Sequence, residues 1–206
     1  MNSSHPLQCQ CGTIKGHVER EGMANRVVCY CDDCQAFARF LDRADAVLDA
    51  QGGTGIVAIL PKQLHFTQGI ESLACMSLSD RGMYRWYASC CNTPIGNTPR
   101  DFKMPYVGLV DACLKSESPS LQSSFGPIRM VLGTQYAKGT VKGTPVSNVL
   151  TLLCLMLSVI GARLRGGYKS NPFFTADTGA PVVRPRELSK SERERFLSPR
   201  EGTPSP

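Results

Sequence analysis

The chain has 206 residues and a mass of 22.4 kDa, with 42% hydrophobic and 19% charged residues. That is enough apolar material for one buried core and excludes wholesale disorder. The formal net charge is +6 with every thiol neutral, and two Zn²⁺ held by seven thiolates would lower it to roughly +3, so composition gives no strongly basic footprint for nucleic acid.

The first six residues, Met1-Asn2-Ser3-Ser4-His5-Pro6, carry neither a basic start nor an apolar run. The sequence therefore predicts no signal peptide and a cytoplasmic location, where thiols stay reduced. Ten cysteines in such a compartment point to metal or redox chemistry, not to a disulfide framework. Residues 1–114 alternate short apolar runs with turn residues. Strands are predicted over 14–19, 26–30, 56–60, 63–66, 73–78, 83–87 and 106–110, with a short helix over 32–41 and turns at Gly52-Gly53, Pro61-Lys62 and Asp80-Arg81-Gly82.

Residues 115–127 are rich in Ser and Pro and read as an exposed loop. The run 149–162, VLTLLCLMLSVIGA, is the one stretch that resembles a membrane span. As a helix its fourteen residues cover about 21 Å, short of the ~30 Å hydrocarbon core, so no membrane span is predicted. Thr144 fits an N-cap, Pro145 the first helical position and Gly166-Gly167 the end. Asn148, Thr151, Ser158 and Arg165 form a thin polar stripe. The expectation is a helix of about 20 residues packed on the domain or on a partner, and a surface through which copies of the chain would form a homo-oligomer. Residues 181–206 read as a largely disordered tail with a capping box at Ser189-Lys190-Ser191-Glu192.

Five cysteines crowd the first 34 residues. Cys9-Gln10-Cys11-Gly12 is one cluster, Cys29-Tyr30-Cys31-Asp32-Asp33-Cys34 is the second, and Cys90-Cys91 follows much later. Zinc takes about four soft ligands in a tetrahedron, and two cysteines one or two residues apart at a turn can converge on one ion. Cys31 and Cys34 form such a pair, and Cys29 adds a third thiolate from the preceding strand. Three sulfurs with no evident fourth describe a site with an open position, which a catalytic zinc keeps for water or substrate. Cys9 and Cys11 supply half a tetrahedron, and Cys90-Cys91 is the natural source of the rest. Cys75, Cys113 and Cys154 stand alone in apolar runs and read as packing residues. His5, His17 and His65 are scattered and read as surface or satisfied structure. Trp86, the single tryptophan, reads as a fold-stabilising aromatic, and Asp32 and Asp33 as turn residues or as acceptors that orient ligands.

At these residues the sequence resembles the glutathione-dependent formaldehyde-activating enzyme family, which includes centromere protein V. The matching segments are Cys9-Gln10-Cys11-Gly12, Cys29-Tyr30-Cys31-Asp32-Asp33-Cys34 and Cys91-Asn92-Thr93-Pro94, with Ser170-Asn171-Pro172-Phe173-Phe174 near the family's C-terminal segment. The resemblance is strongest over residues 7–98. It implies a mainly β fold, the Mss-four-like β-tent. It also implies a structural zinc shared by the first and third motifs, a second zinc on Cys29, Cys31 and Cys34, and the joining of formaldehyde to glutathione. Two positions depart from the family pattern: Tyr30 stands where the family has His, and Ala88 where it has the first cysteine of the third motif. Neighbours on a strand point to opposite faces. Cys90 and Cys91 therefore share an ion only if the backbone turns at Ser89-Cys90; otherwise Cys91 binds and Cys90 faces elsewhere.

The leading expectation is a carbon–sulfur lyase with catalytic Cys29, Cys31 and Cys34, two zinc ions per chain held by these residues with Cys9, Cys11, Cys90 and Cys91, and a small-molecule thiol such as glutathione as fourth ligand. The alternative is a non-catalytic zinc-stabilised binding module. A methionine sulfoxide reductase-like role, resting on a reactive Cys90, is the third reading.

Overall fold

A computed structural model of the chain describes residues 4–114, 119–142 and 145–197. It is mainly β, with two sheets and five α-helices among the described residues. The smaller sheet has the order β1-β2-β5, from Ser4–Gln8, Lys15–Glu19 and Leu64–Gln68. The larger has eight strands in the order β10-β3-β4-β9-β8-β7-β6-β11. Its members are β3 (Ala24–Cys29), β4 (Thr54–Ile59), β6 (Leu73–Ser77), β7 (Tyr84–Ala88), β8 (Thr93–Thr98), β9 (Val107–Val110), β10 (Ile128–Leu132) and β11 (Arg186–Glu187). Pairing is antiparallel except at the two ends, where β10 joins β3 and β11 joins β6 in parallel.

Side-chain alternation assigns the two faces of the larger sheet. Val57, Ile59, Cys75, Trp86, Ala88 and Leu109 point to the main core, where they meet Leu7, Val18 and Leu64 from the smaller sheet. Trp86 is fully buried, donates Nε1–H to Thr98 Oγ1 at 2.9 Å, and lies with its ring centroid 4.7 Å from that of Phe173. The intervening residues Ile56, Met76 and Tyr87 point the other way. There α1 (Asp32–Phe40) covers the sheet through Ala36 and Phe37.

The predicted strands and both longer helices are present, with ends shifted by a few residues. The sequence reading missed β1, β8, β10 and β11. Segment 115–127 differs from the expected loop: Ser120 caps α3 (Leu121–Phe125), and Phe125 is buried in the main core, while residues 115–118 lie outside the described ones. His5 is fully buried there, bonded to Ser124 Oγ at 2.8 Å and to the Leu114 carbonyl at 2.7 Å, and burial lowers its pKa. The tail expected to be largely disordered instead carries β11 and α5 (Lys190–Phe196), opened by the Ser189 capping box. Buried Leu188 and the Phe196 ring, 5.5 Å from Phe40, fix this segment over α1. Residues 198–206 lie outside the described ones.

Helix α4 (Pro145–Leu164) runs along β10, and Gly166, at φ +73°, ends it. Of its polar stripe, Asn148 and Thr151 face inward, while Ser158 bonds the Cys154 carbonyl of its own helix at 2.8 Å and Arg165 is exposed. The Asn148 amide accepts from Val131 N–H at 3.0 Å and donates to Val131 C=O at 2.8 Å, so a side chain closes the open edge of β10. Thr151, Leu155, Val159 and Ala162 are buried on the same side. Thr144 lies outside the described residues. Cys154, read as a packing residue, is exposed, whereas Cys75 and Cys113 are buried. No described helix is long and apolar enough to cross a membrane.

Candidate metal centres

Cys9 follows β1 at the start of a tight reversal. Gly12, at φ +78°, donates its N–H to the Cys9 carbonyl at 2.9 Å, and Ile14 N–H points at Cys9 Sγ from 3.2 Å. A side chain at position 12 would be strained in that conformation. Cys90 and Cys91 sit in the turn between β7 and β8, where Asn92 takes φ +54°. The backbone thus makes the turn that lets both neighbours face one point, and Cys90 does not turn away. Cys9 Sγ is 3.6 Å from Cys11 Sγ and 3.9 Å from Cys90 Sγ, Cys11 is 3.3 Å from Cys90, and Cys90 is 3.9 Å from Cys91. All four sulfurs lie within 4.8 Å of one another. An ion bonded at about 2.3 Å to four sulfurs sets them about 3.8 Å apart, so the arrangement fits a closed tetrahedral metal site. Ala88, fully buried at the end of β7, contributes no ligand.

Hydroxyls flank this cluster. Thr13 Oγ1 is 3.2 Å from Cys11 Sγ and Thr93 Oγ1 is 3.1 Å from Cys91 Sγ. The Thr13 contact lowers the Cys11 thiol to about 6, while burial raises that of Cys9.

The second cluster lies on the other face of the large sheet. Cys29 ends β3, Cys31 is the residue before α1, and Cys34 is in its first turn. The α1 backbone closes over Cys31, whose carbonyl accepts from Cys34 N–H at 3.0 Å and Gln35 N–H at 3.2 Å. Cys29 and Cys31 sulfurs are 3.3 Å apart, and the three sulfurs lie within 4.8 Å of one another. Among the described residues no other His, Cys, Asp or Glu joins them. Val27, Ile56 and Met130 wall the cluster. Cys29 and Cys34 are buried while Cys31 is half-buried, so the side at Cys31 is the more open. Gly133 makes room for this arrangement. It sits at φ +66° after β10, and a Cβ there would lie 2.8 Å from the Cys31 nitrogen.

Arg85 is a site residue that the sequence reading did not single out. It comes from β7, is 4% exposed, and places Nη1 3.9 Å from Cys34 Sγ and 3.2 Å from Asn97 Oδ1. Its guanidinium also lies 3.9 Å from Asp33 and 5.4 Å from the Phe37 ring centroid. A basic residue in a strand that pairs on both sides was the available signal. Hydrogen bonds from Cys29 and Cys31, together with Arg85, hold the Cys34 thiol well below its ordinary range; the bonds of Cys29 with Cys31 and then with Cys34, and burial, push Cys29 up. The α1 N-terminus favours a thiolate at Cys34 in the same sense. Desolvation raises the Tyr106 hydroxyl to about 12, and charge on Cys34 and Cys29 adds to the shift.

Asp33 pairs with Arg193 of α5 at 3.0 Å. Tyr30 donates its hydroxyl to Asp49 Oδ2 at 3.0 Å. None of the three histidines joins either sulfur cluster; His17 and His65 stack at 5.1 Å, and His65 pairs with Glu19.

The fold and these clusters define a mainly β protein with two cysteine groups able to hold metal ions, one of four sulfurs and one of three. The chain belongs to DUF6151, a family of unknown function, whose profile matches residues 1–185. It is similar to the crystal structure of a Rhodobacter sphaeroides protein, at 19% identity over 62% of this chain and 99% of that one, with a TM-score of 0.39. No curated protein matches it.

Proposed function

We propose that the chain is a zinc-dependent carbon–sulfur lyase that binds a small thiol at Cys29, Cys31 and Cys34 and joins it to, or releases it from, an aldehyde. The observation that carries this reading is the missing fourth ligand: three sulfurs converge, and no other metal-binding side chain among the described residues stands beside them. A cluster of thiolates suits zinc. Zinc bound there would lower the pKa of an incoming thiol and fix its sulfur. The four-sulfur cluster then serves as the structural zinc site, giving two ions per chain. We assign the sheets to the β-tent class that the resemblance implies, and the reaction to the reducing cytoplasm.

The chemistry balances without a further reagent. The thiolate sulfur attacks the carbonyl carbon, a carbon–sulfur bond forms, and the carbonyl π electrons pass to oxygen, which takes a proton. Release runs the same steps backward. Arg85 offsets the negative charge gathered on the sulfurs and orients Cys34. Glutathione with formaldehyde is the pair that the resemblance favours.

The test is exchange of ¹³C-formaldehyde between its free and glutathione-bound forms, followed by NMR. Catalytic amounts of protein should speed the exchange, and Cys31→Ser should return it to the uncatalysed rate. Exchange unaffected by the protein with every thiol tried would give the lead to the zinc-stabilised binding module.

A further inference from the structure

The outward side of α4 is apolar along its length. Val149, Leu153, Met156 and Ile160 follow one another at spacings of four, three and four residues, and are between 41% and 59% exposed. This is the period of a helix–helix seam. Leu150, Leu152, Leu157 and Leu164 flank it, with Leu164 83% exposed. At about 180 Å² per fully exposed aliphatic residue, these eight leave on the order of 800 Å² of apolar surface in water, which matches one side of a standard protein–protein interface and exceeds the usual patch on a monomer.

We infer that a second copy of this chain covers α4, helix against helix and antiparallel about a two-fold axis near Met156 and Leu157. The axis follows from the pattern. Six of the eight exposed residues pair about that point, Val149 of one copy with Leu164 of the other, Leu153 with Ile160 and Met156 with Leu157, as an isologous interface requires. Charge sets the direction. Arg163, Arg165 and Lys169 cluster at the C-terminal end of the helix, and a parallel pair would bring both sets together, whereas an antiparallel pair keeps them at opposite ends. A lipid surface is the poorer occupant. The helix itself carries no Trp, Tyr, Phe or Lys, its single charge, Arg163, is already paired with Asp101 at 3.0 Å, and Arg165, Tyr168 and Lys169 follow at one end only, so it lacks the anchors spread along the polar face of an interfacial helix.

Sedimentation equilibrium of the full chain at micromolar concentration should give about 45 kDa, two chains of 22.4 kDa each. Leu153→Glu with Leu157→Glu should weaken association by at least about 100-fold and shift the mass to that of one chain. Its melting curve and metal content should stay those of the parent, because both side chains point to solvent. Direction is tested by Val149→Glu alone, which should dissociate the pair, and by Val149→Glu with Leu164→Lys, which should restore it only in the antiparallel arrangement. A monomeric parent chain would overturn the inference, as would a parent monomer that sediments with phosphatidylserine vesicles. Failure of the double charge variant to re-associate would overturn the antiparallel arrangement.

Discussion

The two cysteine clusters use the same ligand atom, yet they differ in how the chain assembles them and in completeness. At Cys9, Cys11, Cys90 and Cys91, two turns far apart in sequence meet, and four sulfurs face one point. At Cys29, Cys31 and Cys34, one strand end and one helix start supply three, and a buried arginine stands beside them. A site assembled from distant segments ties the fold together when it binds metal. A site assembled from six consecutive positions ties down little and leaves a coordination position for something else. On our proposal the first cluster is therefore the structural site and the second the functional one.

Removing a ligand from each cluster breaks the comparison most severely. Cys9→Ser should lose the cooperative fold, because metal-linked folding free energy is on the order of 10 kcal/mol in small zinc domains. Cys34→Ser should keep a cooperative melt while losing about one metal ion per chain. Thermal melts and metal analysis on both variants check this, and equal collapse of the two would make both sites structural. Acid should act in the same order, since protons compete with metal for thiolates: as pH falls, the three-sulfur cluster should release its ion first.

A smaller effect is expected at Gly133. Alanine there meets both a left-handed backbone and the Cys31 nitrogen, so Gly133→Ala should cost about 2–4 kcal/mol in a denaturant titration and loosen metal at the three-sulfur cluster only. Smaller still, Arg85→Met should lower metal affinity at that cluster by about 10- to 100-fold, the usual effect of losing a partner to a ligand, and leave the other cluster unchanged. Competition with a chromophoric chelator reads both.

Much of this was legible along the chain because the signals were local. Cysteine spacing marked both clusters, and alternation marked the strands that have one face in the core. The missed strands had other determinants. β8 is buried on both faces and contains Pro94 and Gly96, so it shows no alternation. β10 is exposed at most positions and is held by β3 and Asn148. Arg85 could be recognised only once β7 lay beneath α1, since its partners Cys34 and Asn97 are 51 and 12 residues away. The tail was misread because Leu188 and Phe196 find their apolar partners on α1 and β6, far back in the chain.

On our proposal the three-sulfur cluster keeps a free coordination position and the four-sulfur cluster does not. Co²⁺ substitution makes it visible, since each thiolate bound to cobalt adds charge-transfer intensity. With both sites filled, added glutathione should raise that intensity by the equivalent of one thiolate per chain, and Cys31→Ser should abolish the rise while retaining the bands of the Cys9 cluster. A spectrum that stays unchanged with glutathione and with every other small thiol would mean that the protein itself fills the fourth position, and would contradict the account.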